Sequence, residues 1–202
     1  MSAHENLEHA EHAEHAAHGG NKGIALLIAV LALFLAFSET LGKSAQTAAL
    51  SNNVEASNLW AFFQAKTIRL TTLRTAAEQV QITADTTSDP AAKAAMTKAI
   101  DTWKATAARY DDEPSTHEGR KQLTERATEA EHHRDLALSR YHLYEFASAA
   151  FQIGIVLASA TIITSMIILA WLSGALGIAG LAFTAFGLWA PHTLDFLLHA
   201  AH

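Results

Sequence analysis

The chain has 202 residues, half of them apolar, with a formal net charge of -6 and no cysteine. The acidic balance and the absence of a basic stripe speak against nucleic-acid binding. The absence of cysteine excludes disulfides, thiolate catalysis and cysteine-ligated zinc or iron–sulfur clusters.

Residues 1–21 form an acidic, histidine-rich tail. Glu8, Glu11 and Glu14 each precede a histidine, His9, His12 and His15, with His18 following. Imidazole and carboxylate together suit a divalent transition metal, and i, i+3 histidines are neighbours on a helix. The competing reading is a solvated acidic tail that holds no cofactor. The tail is not basic, so it does not read as a cleavable signal peptide.

Residues 22–42 read as the first transmembrane helix. The run 24–37 carries no polar side chain, and about 20 residues cross a hydrocarbon core of about 30 Å. Glu39 near its end is either an intramembrane ion or proton ligand or a carboxylate reaching the headgroups.

Residues 43–146 hold 13 of the 14 basic and 14 of the 20 acidic residues, and read as an extramembrane domain. No proline interrupts residues 22–89, so one helix is expected from the membrane to about Thr86. Leu59, Phe63, Lys66, Leu70, Leu73, Ala77 and Val80 alternate steps of four and three along it, a heptad seam with one polar member. Asp89-Pro90 suits an N-cap followed by the first helical position. A second helix carries Ala92, Met96, Ala99, Trp103, Ala107 and Tyr110 inward, and Asp111 to Pro114 breaks it. Ser115 and Glu118 are spaced as a capping box. The third helix carries Leu123, Ala127, Ala130, Arg134, Ala137, Tyr141, Tyr144 and Ser148, running on into the next span. Lys66 and Arg134 either set register or extend to solvent from the seam edge. Trp60, Phe62 and Phe63 suit a core or subunit interface, with a ligand platform as the alternative.

Residues 147–172 read as the second span and 175–190 as the third, separated by Ser173-Gly174 and closed by Pro191, with a C-terminal tail over 191–202. Ala150, Gly154 and Ala158 recur every fourth residue, and Gly177 and Gly180 lighten the third span. In lipid such small faces admit close helix packing. Trp171 and Trp189 fall where an aromatic belt is expected. His132, His133, His142, His192, His199 and His202 read as plain polar residues. The sequence thus predicts an all-α integral membrane protein. It has three transmembrane helices and an antiparallel three-helix, coiled-coil-like domain, whose first and third helices continue into spans one and two.

The stretches ASNLWAFFQAKTIR (56–69), YHLYEFASAAFQIGIVLASATIIT (141–164) and GIAGLAFTAFGL (177–188) resemble the bacterial membrane family described as domain of unknown function 4337. The resemblance implies a bacterial inner membrane and carries no activity with it. No nucleophile elbow, phosphate loop, dinucleotide fingerprint or supported carboxylate pair is legible. The expected function is therefore a non-enzymatic, homo-oligomeric membrane scaffold whose partners are the bilayer and further copies of itself. The alternatives are an oligomeric pore, suggested by the third span's glycines with Thr161, Thr164 and Ser165, and metal handling by the tail. Lys43, Arg134 and Arg140 against Lys22 favour a cytoplasmic middle domain.

Overall fold

A computed structural model of the chain describes residues 22–190. Among these residues there are four helices and no strand: α1 (Lys22–Thr86), α2 (Pro90–Asp111), α3 (Arg120–Thr164) and α4 (Ile167–Trp189). Three of them, α1, α3 and α4, are long and apolar enough to cross a membrane.

The helices extend where the chain offers no break. Serine and threonine hydroxyls on α1 donate to the carbonyl four residues back, as at Thr40, Thr47, Ser57, Thr67, Thr71 and Thr72. Such bonding satisfies the hydroxyl within its own helix. α1 ends at Thr86, and the Asp89 side chain accepts the Ala91 N–H at 2.9 Å, with Pro90 opening α2.

By packing, the described chain falls into two units: residues 22–49 with 135–190, and residues 50–134. The boundaries therefore lie inside the expected 43–146 domain, at Ala49–Leu50 and Arg134–Asp135.

In the first unit, Ile28, Leu31 and Leu35 of α1 pack with Ala147, Phe151, Ile155 and Ala158 of α3. α4 turns an inner row of Ser173, Gly177, Gly180 and Gly187 inward, all buried. Many of its large apolar residues point outward, with Trp171 78% and Trp189 85% exposed. An outward apolar face of this kind is compatible with a lipid surrounding. The glycines are space for neighbours. A Cβ at Gly180 would lie 2.7 Å from the Phe151 ring, at Gly187 2.6 Å from the Tyr144 ring, and at Gly177 2.8 Å from the Leu31 side chain.

The turn between the last two helices departs from expectation. It falls at Ser165-Met166, so the helices end and restart at Thr164 and Ile167 and not at 172 and 175. Ser165 takes φ 58°, its N–H reaching the Thr161 carbonyl at 2.9 Å. The Thr164 hydroxyl oxygen accepts from the Met166 N–H at 3.4 Å. Ser173-Gly174 stays helical because Ser173, fully buried, donates its hydroxyl to the Gly154 carbonyl at 2.7 Å. That bond satisfies the serine between two packed helices, where the sequence alone suggests a break.

In the second unit the seams expected on α1, α2 and α3 face inward. Ten apolar residues are buried there, and six of them are alanines: Ala56, Ala77, Ala84, Ala107, Ala127 and Ala130. Ile100 joins them, outside the expected seam. The helix after the loop starts at Arg120, so Ser115 and Glu118 do not form the expected capping box. Residues 114–117 make a turn instead, with His117 at φ 56°. Gly119 is required at its end, since a Cβ there would collide with the Glu113 backbone nitrogen.

Gly180→Ala is expected to destabilise the first unit by about 1–3 kcal/mol, the usual range for overpacking. Phe151→Leu, destabilising alone, should cost less in the Gly180→Ala background because it clears the clash. Unfolding of the full chain in detergent, followed by helical circular dichroism, reads both; strict additivity removes the fit.

Candidate functional site

The densest chemistry in the described residues lies in the second unit, where α1 meets the α2–α3 loop. Lys66 sits in the α1 seam with its side chain 7% exposed. Its Nζ lies 3.9 Å from Glu113 Oε2 and 3.8 Å from Glu118 Oε2. The same ammonium stands 5.0 Å from the Tyr110 ring centroid and 5.6 Å from that of Phe62, within cation–π range. Lys66 therefore does not extend to solvent; the loop returns over it and surrounds its charge with carboxylates and aromatic faces.

The loop is held by further pairs. Arg109 donates through Nε and a terminal nitrogen to Glu113 Oε1, at 3.1 and 2.8 Å. Glu113 is thus divided, one oxygen toward Arg109 and the other toward Lys66. Arg120 pairs with Asp111 at 2.9 Å while its guanidinium lies 4.9 Å from the Phe63 ring centroid. Lys121 and Gln122 both donate to Asp112, at 2.8 and 2.7 Å, and the Gln122 carbonyl accepts the Glu113 N–H at 3.2 Å. The aromatic block below is fixed in the same way. Trp60 stands edge-on to Phe63, centroids 5.5 Å apart, and donates its indole N–H to Glu131 at 2.9 Å.

These partners set the protonation behaviour. The hydrogen bond from Arg109 holds the Glu113 carboxyl below its ordinary value, with Lys66 adding its charge. Lys121, then Gln122, holds Asp112 below its ordinary value. Arg109 and Lys121 are raised in turn, chiefly by the bonds to Glu113 and Asp112. The cluster balances four cations against four carboxylates, and its geometry clamps a loop to a helix. Among the described residues no group of three or more metal-ligating side chains converges.

Of the other residues singled out in the sequence, Arg134 is half-buried in its seam. Gly154 and Ala158 are buried and Ala150 half-buried. The face they form is occupied within the chain: Leu31 and the Ser173 carbonyl come up to Gly154, and Ala158 lies in the first unit's core. Gly177 and Gly180 receive Leu31 and Phe151, as above. Glu39 is half-buried, and Gln152 donates to it at a long 3.5 Å. His133 and His142 are exposed beside Glu129 and Glu145. His9, His12, His15 and His18, like His192, His199 and His202, lie outside the described residues. Sequence reasoning missed Arg109, Glu113, Arg120 and Gln122; the carboxylates at 111–118 flanked by basic residues at 109 and 120–121 were the available signal, but pairing across the loop needs its turn geometry.

Two outcomes test the clamp. A carboxyl that is harder to protonate folded than unfolded stabilises the fold above its ordinary pKa and loses that contribution as pH falls through its folded value. Acid should therefore lower the unfolding midpoint of the full chain between about pH 5 and pH 3. Asp112→Asn with Glu113→Gln should give a shallower slope; an unchanged slope would count against the pairing. Lys66→Met keeps the side-chain length and leaves Glu113 paired with Arg109. It removes the ammonium without opening a large cavity, so it is expected to destabilise less than Lys66→Ala, which opens a cavity. Denaturant titration distinguishes the two variants, and a large loss for Lys66→Met would show that the ammonium itself is required.

A family model described as Domain of unknown function (DUF4337) matches residues 20–190. No curated protein and no solved structure matches the chain. With the match covering nearly the whole chain, and all the described residues, the protein belongs to the DUF4337 family.

Proposed function

We propose that the protein is a non-enzymatic, homo-oligomeric scaffold of the bacterial inner membrane, anchored by the apolar portions of α1, α3 and α4 and carrying its second unit outside the lipid. The observation that supports this most is the economy of the second unit. Six of its ten buried apolar residues are alanines, and alanine buries little area at about 25 cal/mol per Å². Meanwhile Leu50, Val54, Ile68 and Ile82 of the same unit are 58–69% exposed. A lean interior beside exposed apolar side chains suits a protein completed by self-association.

The inward residues of the second unit alternate in steps of three and four, which supports a coiled-coil-like packing of its helices. Positive charges near its membrane ends, Lys43, Arg134 and Arg140, favour a cytoplasmic side. A pore is the weaker alternative. It would draw on the glycines of α4, and within the chain those positions are filled by Leu31, Phe151 and Tyr144.

Light scattering or native mass spectrometry of the full chain in lipid nanodiscs tests the reading. Particles holding more than one copy are expected. A strict monomer across the accessible concentration range would remove the basis for a scaffold.

A further inference from the structure

One face of α1 in the second unit is unusual for a helix in water. Start at Ser51 and alternate steps of three and four. The positions reached run through Val54, Asn58, Ile68, Thr72, Gln79 and Ile82 to Thr86, and none of them is charged. All are exposed except Ala65, which is half-buried. This face lies roughly opposite the buried seam of Leu59, Lys66, Leu70 and Ala77. In a heptad helix that outward face normally gathers charge. Here Glu55, Arg69, Arg74, Glu78 and Asp85 all lie off it.

Its chemistry is more apolar than its composition. Thr72 spends its hydroxyl on the Ile68 carbonyl at 2.9 Å, and Thr86 spends its own on Ile82 at 3.2 Å. A hydroxyl bonded back to its own helix leaves its methyl as the outward group. The N-terminal half of the face floors a groove walled by Thr116, Glu118 and Arg126. A second concavity follows over Ile68, Thr72, Thr75 and Gln79.

We infer that this face docks the same face of a second copy, the two α1 helices meeting in parallel about a two-fold axis. The inference rests on the self-associating reading above and names its surface. Three observations favour a second copy as the occupant. The repeat of three and four is the one that lets two helices keep a common seam. Copies inserted in one bilayer with one topology point the same way, so each residue meets its own counterpart: Val54 with Val54, Ile68 with Ile68, Ile82 with Ile82. Asn58 and Gln79 then supply polar layers that hold the register. In this pairing the flanking positions of α1 bring Gln64 toward Arg69, Glu78 toward Thr83 and Leu50 toward Glu55, so no like charges on the two α1 helices face each other. The area also suffices. A face of about 36 residues at a rise of about 1.5 Å, on a helix about 10 Å wide, covers roughly 540 Å² per copy. Two copies bury roughly 1,100 Å², above the roughly 1,000 Å² expected of a specific contact.

The absence of native cysteine makes the test direct. Val54→Cys, Ile68→Cys and Ile82→Cys, each in the full chain in lipid vesicles, are treated with a short bis-maleimide. Asn53→Cys and Gln81→Cys, also exposed but off the face, serve as controls. Linked dimers at the three face positions and not at the controls are expected. Ile68→Glu with Ile82→Glu should lose the dimer by mass in nanodiscs while helical circular dichroism is unchanged. Equal linking at the controls, or a dimer that survives the double substitution, overturns the face and leaves self-association standing. A wild-type chain that is monomeric by mass overturns both.

Discussion

The first unit depends on one packing relation: bulky side chains of α1 and α3 occupy the space left by glycines on α4. Leu31, Phe151 and Tyr144 project where Gly177, Gly180 and Gly187 lack side chains. In hydrocarbon, helices gain little from leaving their surroundings, because lipid tails are as apolar as leucine. What holds them is close fit and the few hydrogen bonds that have no competitor. Ser173 to Gly154 is such a bond, at 2.7 Å. Phe34 and Phe151 extend the fit, with ring centroids 6.0 Å apart.

The second unit solves a different problem. In water, apolar burial is the main stabilising term, and an alanine-rich seam supplies little of it. The α2–α3 loop adds specificity by charge. Lys66 lies under Tyr110 and between Glu113 and Glu118, and Arg109, Arg120 and Lys121 fasten the loop's carboxylates. Exposed ion pairs contribute little individually. Their value here is geometric, since they fix where α3 begins relative to the end of α2.

Both units share a preference for small residues at helix contacts, with opposite consequences. In the first, smallness on α4 is matched by bulk on its neighbours, and the inner face is complete. In the second, alanines stand among other alanines around Leu59 and Leu123, and apolar side chains remain outside. That contrast is the physical ground for proposing self-association through the second unit and not through the glycine face of α4.

The sequence by itself determined the helical class, the three apolar helices and the inward seams, because blocks of apolar residues and alternating steps of three and four are local signals. Leu59 to Val80 and Leu123 to Ser148 turn inward as their spacing requires. The tertiary structure alone decided the rest. Ser173-Gly174 looks like a break and is helix, because a carbonyl on a neighbouring helix satisfies the serine. Ser165-Met166 looks like helix and is the turn. Ser115 and Glu118 have capping-box spacing and no helix start between them, since the loop's bonds to Gln122 and the close approach at Gly119 set the start at Arg120. Each depends on a partner far along the chain or on backbone shape, and neither is written in spacing.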